Sequence, residues 1–280
     1  MTTPADPALS ARIEAAFGGS APLIRRFAII AAALMVVAFV ANTAKMVIEI
    51  NAPGFDGQAI LIEFTPFWAA AKLGLAGDAT AAFDVNVLRE ALQLPSDQEP
   101  GDMFWLYPPA WHIAIMPFGL MPFSVAYLLF SLIAFAAFVA AVRPLAAPLP
   151  GGPALVLAAP AVLIIMTLGN NSLLWTAGLA AAVAAMSQGR AVLAGCLIAA
   201  LTLKPHLGLL VPFALAFGGH WRTVLWACIG TVAIAGLSTA VMGLDYWPYF
   251  FGSMQFISEV MQTDLPRFGR MMTWYALARL

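Results

Sequence analysis

Residues 27–48 read FAIIAAALMVVAFVANTAKMVI, a run that contains a single charged residue. A membrane-spanning helix needs about 20 mostly apolar residues, since each residue adds about 1.5 Å to its length. The run is therefore predicted to form a helix that crosses a bilayer. Three arginines precede it, Arg12, Arg25 and Arg26, and positive charge accumulates on the cytoplasmic side of membrane proteins. Residues 1–26 are thus predicted to form a cytoplasmic N-terminal segment.

The composition of the whole chain also indicates a membrane protein. Of its 280 residues, 62% are hydrophobic and 10% are charged, whereas soluble domains carry about 25% charged residues. A soluble fold of this size cannot bury so much apolar surface, so the remainder must contact lipid. We predict an all-α, polytopic transmembrane helix bundle over residues 27–280. The net charge of −1 gives no indication of a nucleic-acid partner.

Two stretches are predicted to lie outside the membrane: a large periplasmic loop over residues 49–107 and a second outer loop over residues 244–270. The first holds nine of the fourteen acidic residues and only two basic ones, and it follows a span that starts in the cytoplasm. Apolar residues recur at helical spacing over residues 64–75, which predicts an amphipathic helix lying in the membrane interface. A second short helix is predicted over residues 79–92.

The rest of the chain consists of apolar stretches separated by proline, glycine and polar residues, which favours further helices. Arg143, Arg190 and Arg222 are predicted to mark cytoplasmic turns, which places the turns near Asn170 and Lys204 on the outer side. The predicted helices cover residues 108–121, as a half-helix or short crossing, and residues 123–142, 154–168, 172–187, 191–203, 207–217 and 221–242.

Two polar positions are candidates for chemistry at the outer face. Glu63 directly precedes the predicted interfacial helix, where partial desolvation of a carboxylate suits a general base. The alternative is an acidic residue that stabilises the N-terminus of that helix. Lys204 and His206 flank a proline between two apolar stretches, which is typical of an anion site such as one for phosphate. The alternative there is a lysine that extends to the lipid headgroups.

The other polar segments carry weaker indications. Tyr107 before two prolines fits an aromatic residue at the membrane interface and a helix start, and Asn170 with Asn171 fits a turn that caps a helix. The chain contains no Walker loop and no GxGxxG, HExxH or GxSxG motif, so nucleotide-binding, zinc-protease and serine-hydrolase functions have no support.

Four stretches of the chain form an ordered set: Glu63 to Asp78, Tyr107-Pro108-Pro109, Gly169 to Leu174, and Ala194 to His206. Taken together, they resemble glycosyltransferase family 87, the mannosyltransferase-like membrane enzymes of the GT-C class that use polyprenyl-phosphate sugars. The resemblance covers residues 27–280 and implies a GT-C-like fold with its active site on the periplasmic side of the cell inner (plasma) membrane.

The resemblance also implies an activity, the transfer of a mannose-like sugar from a polyprenyl-phosphate donor to a lipid or glycan acceptor. Glu63 would take the proton of the acceptor hydroxyl, while Lys204 and His206 would neutralise the leaving phosphate. The remaining implied substrate-binding residues are Asn170, Asn171, Tyr107, Trp68, Phe67 and Asp56. Some members of the class use a divalent metal, to which Asp56 and Glu63 could contribute ligands, but the resemblance does not require a cofactor.

The chain departs from the family pattern in three ways. Family members commonly have aspartate at the position of Glu63, glutamine at the position of Asn170, and several more helices after the last residue of this chain. A non-catalytic, C-terminally truncated homologue is therefore one alternative. Another is a transporter or flippase of a lipid-linked or anionic substrate. An enzyme predicts Glu63 and Lys204 at one outer-facing site, whereas a transporter predicts Lys204 deep in the membrane and unrelated to Glu63.

Overall fold

The structure, a computed structural model, describes residues 12, 15–50, 62–91, 104–204, 208 and 210–260. Every regular element in this part of the chain is helical, as predicted. The α-helices are α1 (Ala21–Ile50), α2 (Thr65–Leu75), α3 (Val85–Ala91), α4 (Pro109–Ile115), α5 (Phe123–Ala146), α6 (Pro153–Leu157), α7 (Pro160–Leu168), α8 (Ser172–Ser187), α9 (Ala191–Ala200), α10 (Val211–Phe217), α11 (Trp221–Met242) and α12 (Tyr246–Val260). Short 3₁₀ turns occupy Gly18–Ser20, Ala79–Phe83, Met116–Leu120 and Leu201–Leu203.

Several helices begin or end where the sequence predicts, because a nearby proline or glycine determines the boundary. Helix α2 begins at Thr65 with Pro66 in its first turn, where a proline has no hydrogen bond to lose. Helix α8 is followed by Gly189 and α11 by Gly243, and both glycines have positive φ, 71° and 85°. Such residues end helices because glycine adopts this backbone conformation without steric cost.

Other stretches differ from the sequence prediction. The single helix predicted over residues 154–168 is two helices, because Pro160 begins α7 after an extended Ala159. The helix predicted over residues 79–92 is, in its described part, the 3₁₀ turn Ala79–Phe83 followed by α3. The Asp84 carboxylate accepts the backbone N–H of Asn86 at 2.8 Å and so starts α3. The predicted second outer loop of residues 244–270 contains the fifteen-residue helix α12.

Three described helices are long and apolar enough to cross a membrane: Ala15–Ile48, Phe123–Ala146 and Trp221–Met242. The first and third expose most of their apolar side chains; Val37 is 64% exposed and Val232 is 71% exposed. Exposed apolar surface of this extent indicates a face that contacts lipid. The first of these spans contains residues 27–48, as predicted.

Helix α2 has the amphipathic spacing that the sequence predicts, but protein covers its apolar side. Phe67 is 3% exposed, and Ala70 and Ala71 are fully buried. The 3₁₀ turn Met116–Leu120 approaches so closely that a Cβ on Gly119 would lie 2.8 Å from the carbonyl carbon of Ala71. The helical spacing therefore reports burial against the rest of the chain, not only the proximity of a membrane surface.

Helices α9 and α11 pack through glycines on both partners. A Cβ on Gly195 would lie 2.5 Å from the Trp226 Cβ, and a Cβ on Gly230 would lie 2.6 Å from the Ala199 Cβ. Small residues permit such close contact between apolar helices, where dispersion rather than the hydrophobic effect favours association. This contact fixes α9, whose C-terminal end leads to Lys204.

Candidate active site

The backbone around Phe64 places Glu63 beside the turn between α7 and α8. Phe64 is fully buried, and its ring contacts a group of aromatic rings, Phe67, Phe118, Phe123, Tyr127 and Phe130. Its backbone N–H donates to the Leu168 carbonyl at 3.1 Å. A buried anchor thus holds the exposed Glu63 against the end of α7.

Gly169 makes this contact possible. It has φ 65°, and a Cβ at this position would lie 2.5 Å from the Phe64 Cβ and 3.1 Å from the Tyr127 ring. Only glycine combines the left-handed backbone with this lack of volume. The turn therefore closes on Phe64 and directs the two asparagines that follow towards Glu63 and Lys204.

We expect Gly169→Ala to lower the free energy of unfolding by about 2–4 kcal/mol, the sum of left-handed strain and overpacking. Gly189→Ala is the matched control, because Gly189 has φ 71° and open space around its Cβ position. It should lose only the strain. Thermal unfolding of both variants in detergent measures the difference, and equal losses would show that the contact with Phe64 contributes nothing.

Asn170 links Glu63 to the start of α8. Its Oδ1 accepts the backbone N–H of Ser172 at 2.6 Å and the Ser172 hydroxyl at 2.5 Å. With the oxygen of the amide held in this way, Nδ2 points the other way and donates to the Glu63 Oε2. One carboxylate oxygen of Glu63 is therefore held by the protein.

Asn171 and Tyr107 both lie close to Lys204. The Lys204 ammonium donates to the Asn171 Oδ1 at 3.2 Å and lies 6.0 Å from the centre of the Tyr107 ring. Asn171 is fully buried, and its Nδ2 makes no hydrogen bond of standard geometry among the described residues, although the amide lies near enough to the Tyr107 hydroxyl to lower its pKa. Since an unpaired buried N–H is costly, this donor suits an acceptor oxygen supplied by a ligand.

The Glu63 carboxylate affects the pKa values of both Lys204 and Tyr107. Burial lowers the pKa of Lys204, and the Glu63 carboxylate offsets part of this decrease. Burial raises the pKa of Tyr107, the neighbouring Asn171 amide offsets part of the increase, and Glu63 adds to it. The Tyr107 hydroxyl therefore remains protonated through the pH range in which the lysine titrates. The two charged groups predicted from distant parts of the chain thus interact electrostatically.

The structure places Trp68 apart from this cluster. Its indole N–H donates to the Met121 carbonyl at 2.9 Å, its ring packs edge-on against Phe123, and the Lys72 ammonium lies 4.6 Å from the ring centre. Trp68 therefore belongs to the surface of α2. Phe67 is buried in the aromatic core. His206 and Asp56 lie outside the described residues, so their predicted roles stay predictions.

Two further features of the described residues concern binding, their lack of a metal cluster and an open cavity. No group of three histidine, cysteine, aspartate or glutamate side chains among them could hold a metal ion. An open cavity of about 390 Å³ lies between α12 and the segment before α4, and Phe83, Phe104, Trp105, Tyr249 and Phe256 are among its lining residues. Neither Glu63 nor Lys204 lines this cavity.

The comparison with known protein families decides the class of protein. The model for glycosyltransferase family 87 matches residues 105–279. The chain belongs to glycosyltransferase family 87. Together with its apolar helices, this membership identifies a membrane glycosyltransferase, which acts on a sugar donor and an acceptor. No curated protein and no solved structure matches the chain.

The matched region contains Tyr107, Asn170, Asn171 and Lys204 but not Glu63. The placement of Glu63 in the cluster therefore rests on the contacts of Glu63 and Phe64 with residues 168–170 rather than on the family match. That Phe64 and Gly169 bring Glu63 to Asn170 is not evident from the sequence alone. A glycine directly before two asparagines indicates a left-handed turn, but the sequence does not indicate that this glycine contacts Phe64.

Proposed function

We propose that this family 87 glycosyltransferase transfers a mannose-like sugar from a polyprenyl-phosphate donor to a lipid or glycan acceptor, with Glu63 as the general base. One observation carries the proposal: a carboxylate and an ammonium group from distant parts of the chain act on the same cluster of polar side chains. In glycosyl transfer from a phosphate, the acceptor hydroxyl loses a proton and the leaving phosphate gains negative charge. A base and a cation at one site suit these two changes.

The Glu63 carboxylate accepts the proton of the acceptor hydroxyl as that oxygen bonds to the anomeric carbon of the sugar. One of its oxygens accepts the N–H of Asn170, and the exposed side chain leaves the other oxygen available to an acceptor. Holding the base in one orientation lowers the entropy that the transition state must lose.

The bond between the anomeric carbon and the phosphate oxygen breaks in the same step, so negative charge develops on the polyprenyl phosphate. Lys204 stabilises this charge, and the buried Nδ2 of Asn171 adds a neutral donor beside it. Such fixed donors have their largest effect where water is excluded. His206 is proposed as a second donor to the phosphate, and Tyr107, whose ring centre lies 6.0 Å from the Lys204 ammonium, is proposed to orient the sugar phosphate.

Two further substrate contacts follow from the family. Trp68 is proposed to contact the polyprenyl chain or acceptor lipid at the surface of α2, since its ring lies apart from Lys204. Asp56 is proposed to lie close to the acceptor. The site is proposed to face the periplasm at the inner (plasma) membrane, because one apolar span separates the N-terminal arginines from the acidic stretch of residues 49–107 in the sequence.

The proposal is tested with the purified chain in proteoliposomes that contain mannosyl-phosphoryl undecaprenol with radiolabelled mannose. Octyl mannoside serves as the acceptor, and GDP-mannose replaces the lipid donor in a parallel sample. We expect labelled disaccharide from the lipid donor and none from the nucleotide sugar. Transfer from GDP-mannose alone, or movement of the labelled lipid between leaflets without sugar transfer, would contradict the proposal.

A further inference from the structure

A second group of buried polar side chains, which the proposed chemistry does not use, meets at the Tyr246 hydroxyl. The Trp105 indole N–H donates to this hydroxyl at 2.8 Å. The same hydroxyl lies 3.0 Å from His112 Nδ1 and 3.3 Å from the Tyr107 carbonyl oxygen. His112 and Tyr246 are fully buried and Trp105 is 2% exposed, so water does not compete for these hydrogen bonds.

The direction of the hydrogen bonds follows from the Ala70 carbonyl. It lies 2.7 Å from His112 Nε2, and a carbonyl can only accept, so Nε2 carries the hydrogen. Burial lowers the pKa of His112 to about 4, which leaves the imidazole neutral at pH 7 with Nδ1 as an acceptor. The Tyr246 hydroxyl therefore donates its one hydrogen to Nδ1, and the Tyr107 carbonyl oxygen at 3.3 Å is a contact rather than a second hydrogen bond. The hydrogen bonds run from the Trp105 N–H through the Tyr246 hydroxyl and His112 to the Ala70 carbonyl.

This chain of hydrogen bonds joins helices α2, α4 and α12 to the segment that contains Trp105 and Tyr107. Ala70 lies in α2, which begins two residues after Glu63. Trp105 lies two residues before Tyr107, and the two rings are 5.1 Å apart. Tyr246 is the first residue of α12. A displacement at the hydroxyl would therefore move the segment that carries Tyr107 relative to the helix that follows Glu63.

The packing around His112 indicates that the imidazole occupies a site shaped for it. A Cβ on Gly74 would lie 2.8 Å from His112 Nε2 and 3.1 Å from its Cδ2. The glycine on α2 thus provides the space that brings the ring to the Ala70 carbonyl. The Trp105 ring packs on the imidazole at 5.0 Å between centres, which fixes its orientation.

We propose that His112 and Tyr246 are positioning residues for sugar transfer, because their hydrogen bonds set the place of Tyr107 relative to α2 and Glu63. This inference rests on the proposed function. Neither residue is assigned a contact with substrate. Misplacement of reacting groups by about 1 Å can lower a rate about 100-fold, so loss of one hydrogen bond here is expected to affect turnover more than stability.

The first test compares Tyr246→Phe with Tyr249→Phe in the full chain, using mannosyl-phosphoryl undecaprenol and octyl mannoside. Tyr249 is on the same helix and 53% exposed, so its variant is the matched control. We expect Tyr246→Phe to lower kcat about 10-fold to 100-fold with little change in KM for the lipid donor. Hydrogen exchange at the amides of residues 104–107 should become faster in Tyr246→Phe only.

The second test separates the two hydrogen bonds of His112. Asparagine can present an oxygen near the position of Nδ1 and still accept from Tyr246, whereas glutamine extends to the position of Nε2 and donates to Ala70. We expect His112→Asn to keep more activity than His112→Gln at equal thermal stability. A merely structural role for His112 predicts losses that follow the melting temperature in both variants.

The outcomes distinguish this inference from the function on which it rests. If the wild-type chain transfers sugar and Tyr246→Phe matches Tyr249→Phe in kcat and in amide exchange, the positioning role is wrong. If the wild-type chain transfers no sugar from either donor, the proposed function fails. Amide exchange then decides alone: unchanged exchange in Tyr246→Phe overturns the role of the hydroxyl, and faster exchange supports it.

Discussion

Replacing Glu63 with glutamine is expected to lower kcat for sugar transfer about 1,000-fold, within the range of about 10²–10⁴ that general-base catalysis contributes. Glutamine has nearly the same shape and can still accept the N–H of Asn170, so the turn should remain folded. It cannot accept the proton of the acceptor hydroxyl. The measurement is transfer of radiolabelled mannose from mannosyl-phosphoryl undecaprenol in proteoliposomes.

The control for this variant is Glu90→Gln, an exposed carboxylate on α3 within the same acidic stretch of the chain. It should retain wild-type activity, since it carries no proposed role. Normal sugar transfer by Glu63→Gln would reassign the base to another carboxylate, of which Asp56 is the first to test. Glu63→Asp should retain activity because it keeps the carboxylate and shortens the side chain by one methylene only.

The parts of the fold that depend on local signals were predictable from sequence. Helix α8 has the predicted bounds because a glycine with positive φ follows it closely, and α11 has them for the same reason. The division at Pro160 was missed, since the apolar residues on both sides continue one periodic pattern. Helix α12 was also missed, because its aromatic and polar residues resemble those of a surface loop as much as those of a helix.

The candidate site was predictable in its residue types but not in its assembly. Lys204 stood out because a charged group between apolar stretches is costly near lipid, and Glu63 stood out because it directly precedes the predicted interfacial helix. The contact between Phe64 and Gly169 joins residues 105 positions apart, and no periodicity in one sequence reports such a pair. The same holds for Trp105 and Tyr246, whose hydrogen bond spans 141 positions. Both contacts depend on packing between residues that are far apart in the chain, and local sequence patterns carry no information about such packing.

Replacing Lys204 with methionine is expected to lower kcat about 100-fold to 1,000-fold, the effect of removing one fixed donor to a developing anion. Methionine retains much of the length and apolar volume of the lysine stem, so the loss reports the ammonium group. Lys204→Arg should retain much of the activity, because it preserves the charge. Lys72→Met is the control, since Lys72 is exposed on α2 beside Trp68.

The pH dependence of kcat distinguishes the role of the Lys204 charge from a role in packing. Burial lowers the pKa of Lys204, so its ammonium should lose the proton at a pH below the usual value for lysine, about 10.4. Activity of the wild type should therefore fall on the alkaline side as the pH rises through this lowered pKa. Arginine stays charged throughout that range, so Lys204→Arg should lack the alkaline decrease, whereas Lys72→Arg should keep it. An identical alkaline decrease in Lys204→Arg would show that another group titrates and that the charge of Lys204 does not stabilise the leaving phosphate.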